Sequence, residues 1–380
     1  MLRTATLEEI KAGKVTDIYF ERTRAILEAR NIHKTVVAEF CAKSLPNGTP
    51  WAIFSGLADV LSLVEGKAID LEAIPEGSVF TPDIPVMTIT GDYLSFGVYE
   101  TAILGLICQA SGIATQAARC NVAAQGRPVV AFGSRRMHPA LAPILDRNAY
   151  VGGCSGLATV LSGEILGIPA TGTIPHALIL IMGDTLEATQ AFDEIISKNV
   201  PRIALVDTFT DEKFESIRIA EKSGESLFGV RLDTPGSRRG DFYKILQEVR
   251  CELDIRGFQK VKIFVSGGID VESILKLNEF ADAYGVGNSI SNAPVIDFSM
   301  DIVEVDGKPL AKRGKISGHK TTFRGEKPDA LKIQYKNASI PDDYQLLTNP
   351  YLKGGKLIET LPDIHEIKTY VDSQISQLEL

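Results

Sequence analysis

From residue 128 onward, short β-branched runs alternate with stretches whose apolar residues recur every three or four positions. The runs "PVVAFGS" (128–134), "IPATGT" (168–173), "RIALVDTF" (202–209), "LFGVRLD" (227–233), "VKIFVSGG" (261–268) and "ADAYGVG" (281–287) end in small or polar residues and read as strands. Between them, "GGCSGLATVLSGEILG", "DTLEATQAFDEIISKN", "DEKFESIRIAEKSG", "GDFYKILQEVRCELD" and "DVESILKLNEF" read as amphipathic crossover helices, most of them opening on Asp or Gly. Repeated βα units demand a parallel sheet, and the pattern predicts an α/β fold with a short or irregular (β/α) barrel.

The flanks follow a different rhythm. "TDIYFERTRAILEAR" predicts a helix, "HKTVVAEFCAK" and "PWAIFSG" predict strands, and "FGVYETAILGLICQASGIATQAARCNVAAQ" predicts one or two long helices. Beyond residue 300, Asp306-Gly307 sits between "IVEV" and "KPLAKRG" as a hairpin signal. The expected organisation is therefore a second, α+β domain built from 1–112 and 300–380, and a barrel domain over 113–299.

Composition narrows the function classes. A formal charge of −8 without Lys/Arg runs removes the electrostatic footprint of a nucleic-acid binder, although a local cluster of cations and amides can still hold phosphate. The five cysteines are scattered and contain no C-x-x-C pair, which predicts neither a disulfide framework nor a zinc ribbon and fits a cytoplasmic protein. No export signal is legible, and no apolar run is read as approaching the roughly 18 residues of a membrane span.

In a parallel α/β barrel, reactive groups lie at the C-terminal ends of the strands and phosphate commonly sits over the last two βα loops. "FVSGGID" places Ser266, Gly267 and Gly268 at such an end, and "YGVGNSIS" places Gly285, Gly287, Asn288 and Ser289 at the next. Both loops are read as a phosphate site, where small residues let backbone N–H groups approach an anion. Asp207 and Asp233 end earlier strands and could hold Mg²⁺ or sugar hydroxyls, or serve only as a helix cap and a turn residue. Arg135 and Arg136 follow a strand directly, where an arginine fork can grip carboxylate or phosphate. His138 could be a ligand, a base or a turn residue. His176, fixed behind Pro175 in "GTIPHA", falls on the same rim and is read as functional.

Taken in order, "TDIYF", "YETAILGLI", "GIATQAAR", "GSRRMHP", "GGCSGLATVLSGEILGIPATGTIPHA", "LVDTF", "VRLDTPGS", "FVSGGID" and "GVGNSIS" resemble the nicotinate phosphoribosyltransferases, members of the type II phosphoribosyltransferases. The resemblance implies an irregular α/β barrel with a sandwich domain made from both termini, in a homo-oligomer, at least a dimer, whose neighbouring subunits complete each active site. It implies transfer of phosphoribosyl from 5-phosphoribosyl 1-pyrophosphate to the ring nitrogen of nicotinate, with Mg²⁺, and with ATP as co-substrate through phosphorylation of His176. It further implies that Ser266, Gly267, Gly268, Gly287 and Asn288 hold the 5-phosphate, and that Asp207 and Asp233 hold ribose hydroxyls or a Mg²⁺ shell. Arg135 and Arg136 would meet the acceptor carboxylate or the pyrophosphate, and Tyr19 of a neighbouring subunit would stack on the pyridine.

Some relatives carry a cysteine-bearing metal knuckle near the C-terminus. The tail "KRGKISGHKTTFRGEKPDALKIQYKN" has no cysteine, so no structural zinc is expected and His319 is read as an exposed loop residue. The nearest rival is a quinolinate phosphoribosyltransferase, which shares the fold and donor, takes a dicarboxylate acceptor that loses CO₂, and would want a denser cationic pocket. A phosphosugar aldolase or isomerase on the same barrel stands further off, because Lys262 lies at the start of its strand and not at the end where a Schiff-base lysine belongs.

Overall fold

The computed structural model describes residues 3–380. They fall into two compact units, one made of the chain up to Ala118 together with Pro294–Leu380, the other of Arg119–Ala293.

The first unit is built on a seven-stranded antiparallel sheet in the order 308–309, 298–305, 35–42, 87–92, 69–73, 349–353, 356–357. Its central strand Thr35–Ala42 pairs on one side with Phe298–Val305 and on the other with Met87–Asp92, so Phe40 faces both Met300 and Met87. Strands from the two chain ends therefore share one sheet, over a core that contains Phe40, Phe54, Phe80, Phe96 and Phe298. The expected hairpin closes at Asp306-Gly307: both residues have positive φ, as a two-residue type I′ turn requires, and Val305 pairs with Lys308. The segment Tyr93–Ala124 is long and apolar enough to cross a membrane by length and composition, which corrects the reading that no run approaches that length. Ile103, Ile107, Ala110 and Ala114 along it are buried inside the protein.

His319 also departs from expectation. It is half-buried, with Nε2 3.2 Å from Glu72, because Lys320–Arg324 begins a small three-stranded sheet immediately after it. His319 and Lys336 hold the Glu72 carboxyl down at about 2, against the opposing effect of burial.

The second unit carries a six-stranded parallel sheet. Its strands are β1 (Val129–Ala131), β2 (Gly156–Leu157), β3 (Ile203–Leu205), β4 (Gly229–Leu232), β5 (Lys262–Val265) and β6 (Ala283–Val286). They lie in the order β2-β1-β6-β5-β4-β3, with β2 and β3 as free edges, so the sheet is a curled half-barrel and not a closed one. Crossover helices Thr185–Ile195, Glu212–Ser223, Phe242–Ile255 and Val271–Leu277 are each capped by an aspartate side chain, Asp184, Asp211, Asp241 and Asp270, as their sequences predict.

One strand was misplaced. The segment 168–173 forms no strand; the edge position belongs to Gly156–Leu157, inside a stretch read as helix. Pro169 cannot donate to a ladder, and the contact that remains is the Thr171 amide on the Leu157 carbonyl at 2.7 Å. The helix meant for that stretch is reduced to Val160–Leu166.

Candidate active site

The C-terminal ends of β3, β4 and β5 converge on an ion cluster. His176 opens the helix His176–Met182, and its Nε2 lies 3.6 Å from Asp207 Oδ2 and 3.5 Å from Asp233 Oδ2. Its Nδ1 meets the Thr208 hydroxyl at 3.0 Å. The Asp207 side chain is only 2% exposed, and its Oδ1 is buried without a hydrogen-bond partner. Burial raises the Asp207 carboxyl above its usual range; His176 opposes the rise and Asp233 reinforces it. A buried, partly orphaned carboxylate beside a second one is a place for a ligand that brings donors or positive charge.

Arg231 connects this cluster to the sheet interior. Strand side chains alternate, so Arg231 and Asp233 at the end of β4 leave on the same face. Arg231 Nε donates to Ser266 Oγ at 2.9 Å, Nη1 donates to Thr173 Oγ1 at 2.8 Å, and Nη2 lies 3.4 Å from Asp233 Oδ1. Ser266 in turn donates to Asp233 Oδ1 at 2.6 Å. The guanidinium sits 5.2 Å from the centre of the Phe132 ring. Both line a cavity of about 230 Å³, mostly apolar, with Thr171, Thr173, Ser266 and Tyr284 among its other walls. Gly285 is required there: a Cβ would stand 2.4 Å from the Phe132 ring. A fixed cation and an aromatic face in an apolar pocket suit a flat ring that carries carboxylate.

The glycine loops flank the cluster. Gly267 and Gly268 after β5 both have positive φ, and a Cβ on Gly267 would meet the Asp233 carbonyl at 2.8 Å. Gly287, half-buried, and Asn288, exposed, follow β6. Arg135 and Arg136 are exposed on a single 3₁₀ turn after β1, and exposed His138 accepts from the Ala140 amide at 3.2 Å as a turn residue does. Tyr19 belongs to the first unit, 57% exposed on the helix Ile18–Ala29.

The structure thus gathers His176, Asp207, Asp233 and Ser266 directly, with Gly267 packed against Asp233. It gives Arg135, Arg136 and His138 no contact with that cluster. Sequence reasoning missed Arg231 and Phe132, although a charged residue inside a strand of a buried parallel sheet was a usable signal. It also missed the fully buried Asp146, whose Oδ1 accepts from Ser134 at 2.7 Å and whose Oδ2 accepts from the Thr159 hydroxyl at 2.5 Å. Those bonds pin the Arg135–Arg136 turn to the helix Ala142–Val151. Among the described residues, no three His, Cys, Asp or Glu side chains form a metal site by themselves.

Comparison with known proteins adds a family. The profile of the quinolinate phosphoribosyl transferase C-terminal domain matches residues 113–301, and that of the N-terminal domain matches residues 17–111. A crystal structure of nicotinate-nucleotide pyrophosphorylase from Pyrococcus furiosus is 49% identical, covers 100% of this chain and 99% of its own, and superposes with a TM-score of 0.98. A nicotinate phosphoribosyltransferase of Mycobacterium tuberculosis is 27% identical over 96% of this chain and 87% of its own length. The structure of human nicotinic acid phosphoribosyltransferase shares the fold, at 19% identity, a TM-score of 0.75, and coverage of 96% and 94%.

These findings overturn the expectation of nicotinate as acceptor with ATP coupled through His176. Both domain profiles and the half-identical structure point to quinolinate and nicotinate-nucleotide pyrophosphorylase chemistry, whereas that nicotinate-specific relative is far more distant. The physical reason lies in the motifs. Those that carried the resemblance lie mostly at the strand ends, and "VRLDTPGS" contains Arg231 without showing the Phe132 ring that the fold sets beside it. Arg231 is a half-buried cation at the wall of the apolar cavity.

Proposed function

This chain belongs to the quinolinate phosphoribosyl transferase family, phosphoribosyltransferases of NAD biosynthesis, and from that premise we propose that it interconverts quinolinate and nicotinate mononucleotide as a nicotinate-nucleotide pyrophosphorylase. The observation that carries the reading is Arg231, locked by Ser266 and Thr173 against the Phe132 face at the wall of the apolar cavity.

In the forward direction the pyridine nitrogen attacks the anomeric carbon of 5-phosphoribosyl 1-pyrophosphate, and the C–O bond breaks with both electrons leaving on pyrophosphate. The 2-carboxylate then departs as CO₂, its bonding electrons stay on the ring carbon beside the cationic nitrogen, and a proton completes nicotinate mononucleotide. No protein nucleophile is needed; the chain must orient the reactants and exclude water. We assign Arg231 to the acceptor carboxylates, and Arg135 and Arg136 to the pyrophosphate. Ser266, Gly267, Gly268, Gly287 and Asn288 are assigned to the 5-phosphate.

Asp207 and Asp233 are assigned to the ribose hydroxyls and to Mg²⁺. Mg²⁺ is commonly held by one or two carboxylates plus substrate phosphates, and the orphaned buried oxygen of Asp207 fits that arrangement. When bound, the ion would neutralise charge on the leaving pyrophosphate. His176 Nε2 stands between the two carboxylates, within 3.6 Å of each. Self-association belongs to the same proposal, supported by exposed apolar residues on two helices successive in the chain, Val160 and Ile165 on one and Ile181 on the other.

The test is product formation from 5-phosphoribosyl 1-pyrophosphate and Mg²⁺ with carboxyl-labelled quinolinate, and in parallel with nicotinate. Labelled CO₂ with nicotinate mononucleotide from quinolinate is expected. Turnover of nicotinate alone would overturn the proposal.

A further inference from the structure

Asp207 and Asp233 stand level with each other on neighbouring strands. The parallel ladder pairs Ile203 of β3 with Gly229 of β4, Ala204 with Val230 and Leu205 with Arg231, so the same register carries Asp207 opposite Asp233. The Val206 amide still reaches the Arg231 carbonyl at 3.1 Å, and there the main-chain ladder ends. Both carboxylates therefore lie just past the point where the two backbones hold each other, and like charges at that place push the segments apart. His176 Nε2, 3.6 and 3.5 Å from them, belongs to neither segment.

Beyond the ladder, a side-chain bond ties the two segments together. The hydroxyl of buried Thr234, which directly follows Asp233, donates to Glu212 Oε1 at 2.5 Å. Glu212 comes five residues after Asp207 and opens the helix Glu212–Ser223. It is half-buried and, among the described residues, forms no ion pair, so its carboxylate is committed to a neutral hydroxyl. A hydroxyl bonded to a charged acceptor makes a short, strong link, and this one closes a ring from Asp207 through Glu212 and Thr234 back to Asp233.

The far side of that ring is anchored. Thr210 donates to Glu215 Oε2 at 3.1 Å, and Arg218 grips buried Glu215 through Nε at 3.0 Å and Nη2 at 2.6 Å. Arg218 Nη1 also lies 2.9 Å from Asp184 Oδ2, on the cap of the preceding helix. Glu212 thus projects from a helix start that cannot drift, and Thr234 is held against it.

We propose that Glu212 is a positioning residue, which sets the separation of Asp207 and Asp233 and with it their affinity for the divalent cation and ribose hydroxyls. The inference rests on the assignment of that pair made under the proposed function. A small octahedral cation tolerates little error in the spacing of its carboxylates, so a tether on the second carboxylate's neighbour is felt at the ion. The role needs the acceptor atom of Glu212 and not its charge.

Titration calorimetry of the whole chain with 5-phosphoribosyl 1-pyrophosphate and Mg²⁺, in the absence of any acceptor, tests this without turnover. Glu212→Ala and Thr234→Val are each expected to weaken binding by about 10-fold. Glu212→Gln, whose amide oxygen accepts the same hydroxyl, should stay within about threefold of wild type. The double variant should be no weaker than either single one, because both remove the same bond, and thermal melts check that every variant folds. Wild-type affinity in Glu212→Ala, a loss in Glu212→Gln as large as in Glu212→Ala, or losses that add in the double variant would overturn the inference. Tight, Glu212-dependent binding without turnover of quinolinate would sink the proposed reaction and leave the inference standing, whereas a wild-type chain that binds no 5-phosphoribosyl 1-pyrophosphate would sink both.

Discussion

Replacing Arg231 with Met keeps an unbranched apolar stem and removes the guanidinium charge from the cavity wall. In the wild-type chain three nitrogens of Arg231 are committed, to Ser266 at 2.9 Å, Thr173 at 2.8 Å and Asp233 at 3.4 Å, so the cation cannot swing out to solvent. A charge-assisted hydrogen bond to an acceptor carboxylate contributes about 1.5–3 kcal/mol. At about 1.36 kcal/mol per factor of ten, kcat/KM for quinolinate should fall roughly 10- to 150-fold. The Phe132 contact adds about 0.5–1 kcal/mol of support for the cation's position, which the variant also forfeits. Steady-state kinetics that vary quinolinate and 5-phosphoribosyl 1-pyrophosphate separately provide the assay. The loss should appear in the acceptor's KM first, with the donor's KM changing less. An acceptor KM within twofold of wild type in a variant that melts normally would refute the placement of the pyridine ring against Arg231.

Three further outcomes follow from specific contacts. Gly285→Ala drives a Cβ to 2.4 Å from the Phe132 ring, so the ring must move; overpacking of this kind costs about 1–3 kcal/mol, and both a lower melting temperature and a raised acceptor KM are expected. Asp146→Ala removes a buried carboxylate that accepts from Ser134 and Thr159, and should cost on the order of 3 kcal/mol in denaturant melts while slowing turnover through the Arg135–Arg136 turn; unaltered melts would discard its structural role. Glu100, in the first unit, is raised from 4.5 to about 7 by burial, with Asp301 adding to the rise. The fold thus keeps this proton after the unfolded chain has lost its own: the contribution to stability is complete below 4.5 and is lost as pH rises through about 7. Glu100→Gln should therefore melt higher than wild type at pH 8 and lose that advantage at pH 5, and a pH-independent difference would reject the argument.

Periodicity in the sequence determined most elements of the second unit, because each strand is short, apolar and followed by a helix that starts on an aspartate cap. The same local rule placed Asp207, Asp233 and Ser266 at strand ends, and the Asp306-Gly307 turn needed only two residues that tolerate positive φ. Where local pattern and long-range pairing disagreed, pairing decided. Segment 168–173 has strand-like composition, but an edge strand is defined by its neighbour's free hydrogen-bonding groups, and Gly156–Leu157 took the place beside β1.

Tertiary structure alone decided the cavity beside the sheet. Arg231 and Phe132 are about a hundred residues apart in the chain and become one surface only when β4 and β1 join the same sheet. His176 kept its place on the rim, yet the partners that surround it, Asp207, Asp233 and Thr208, come from the ends of other strands. Distances between side chains brought by different strands are set by sheet order and curl, quantities that no window of sequence contains. The motifs could therefore place reactive side chains at strand ends, while the cavity that Arg231 and Phe132 line had to wait for the geometry.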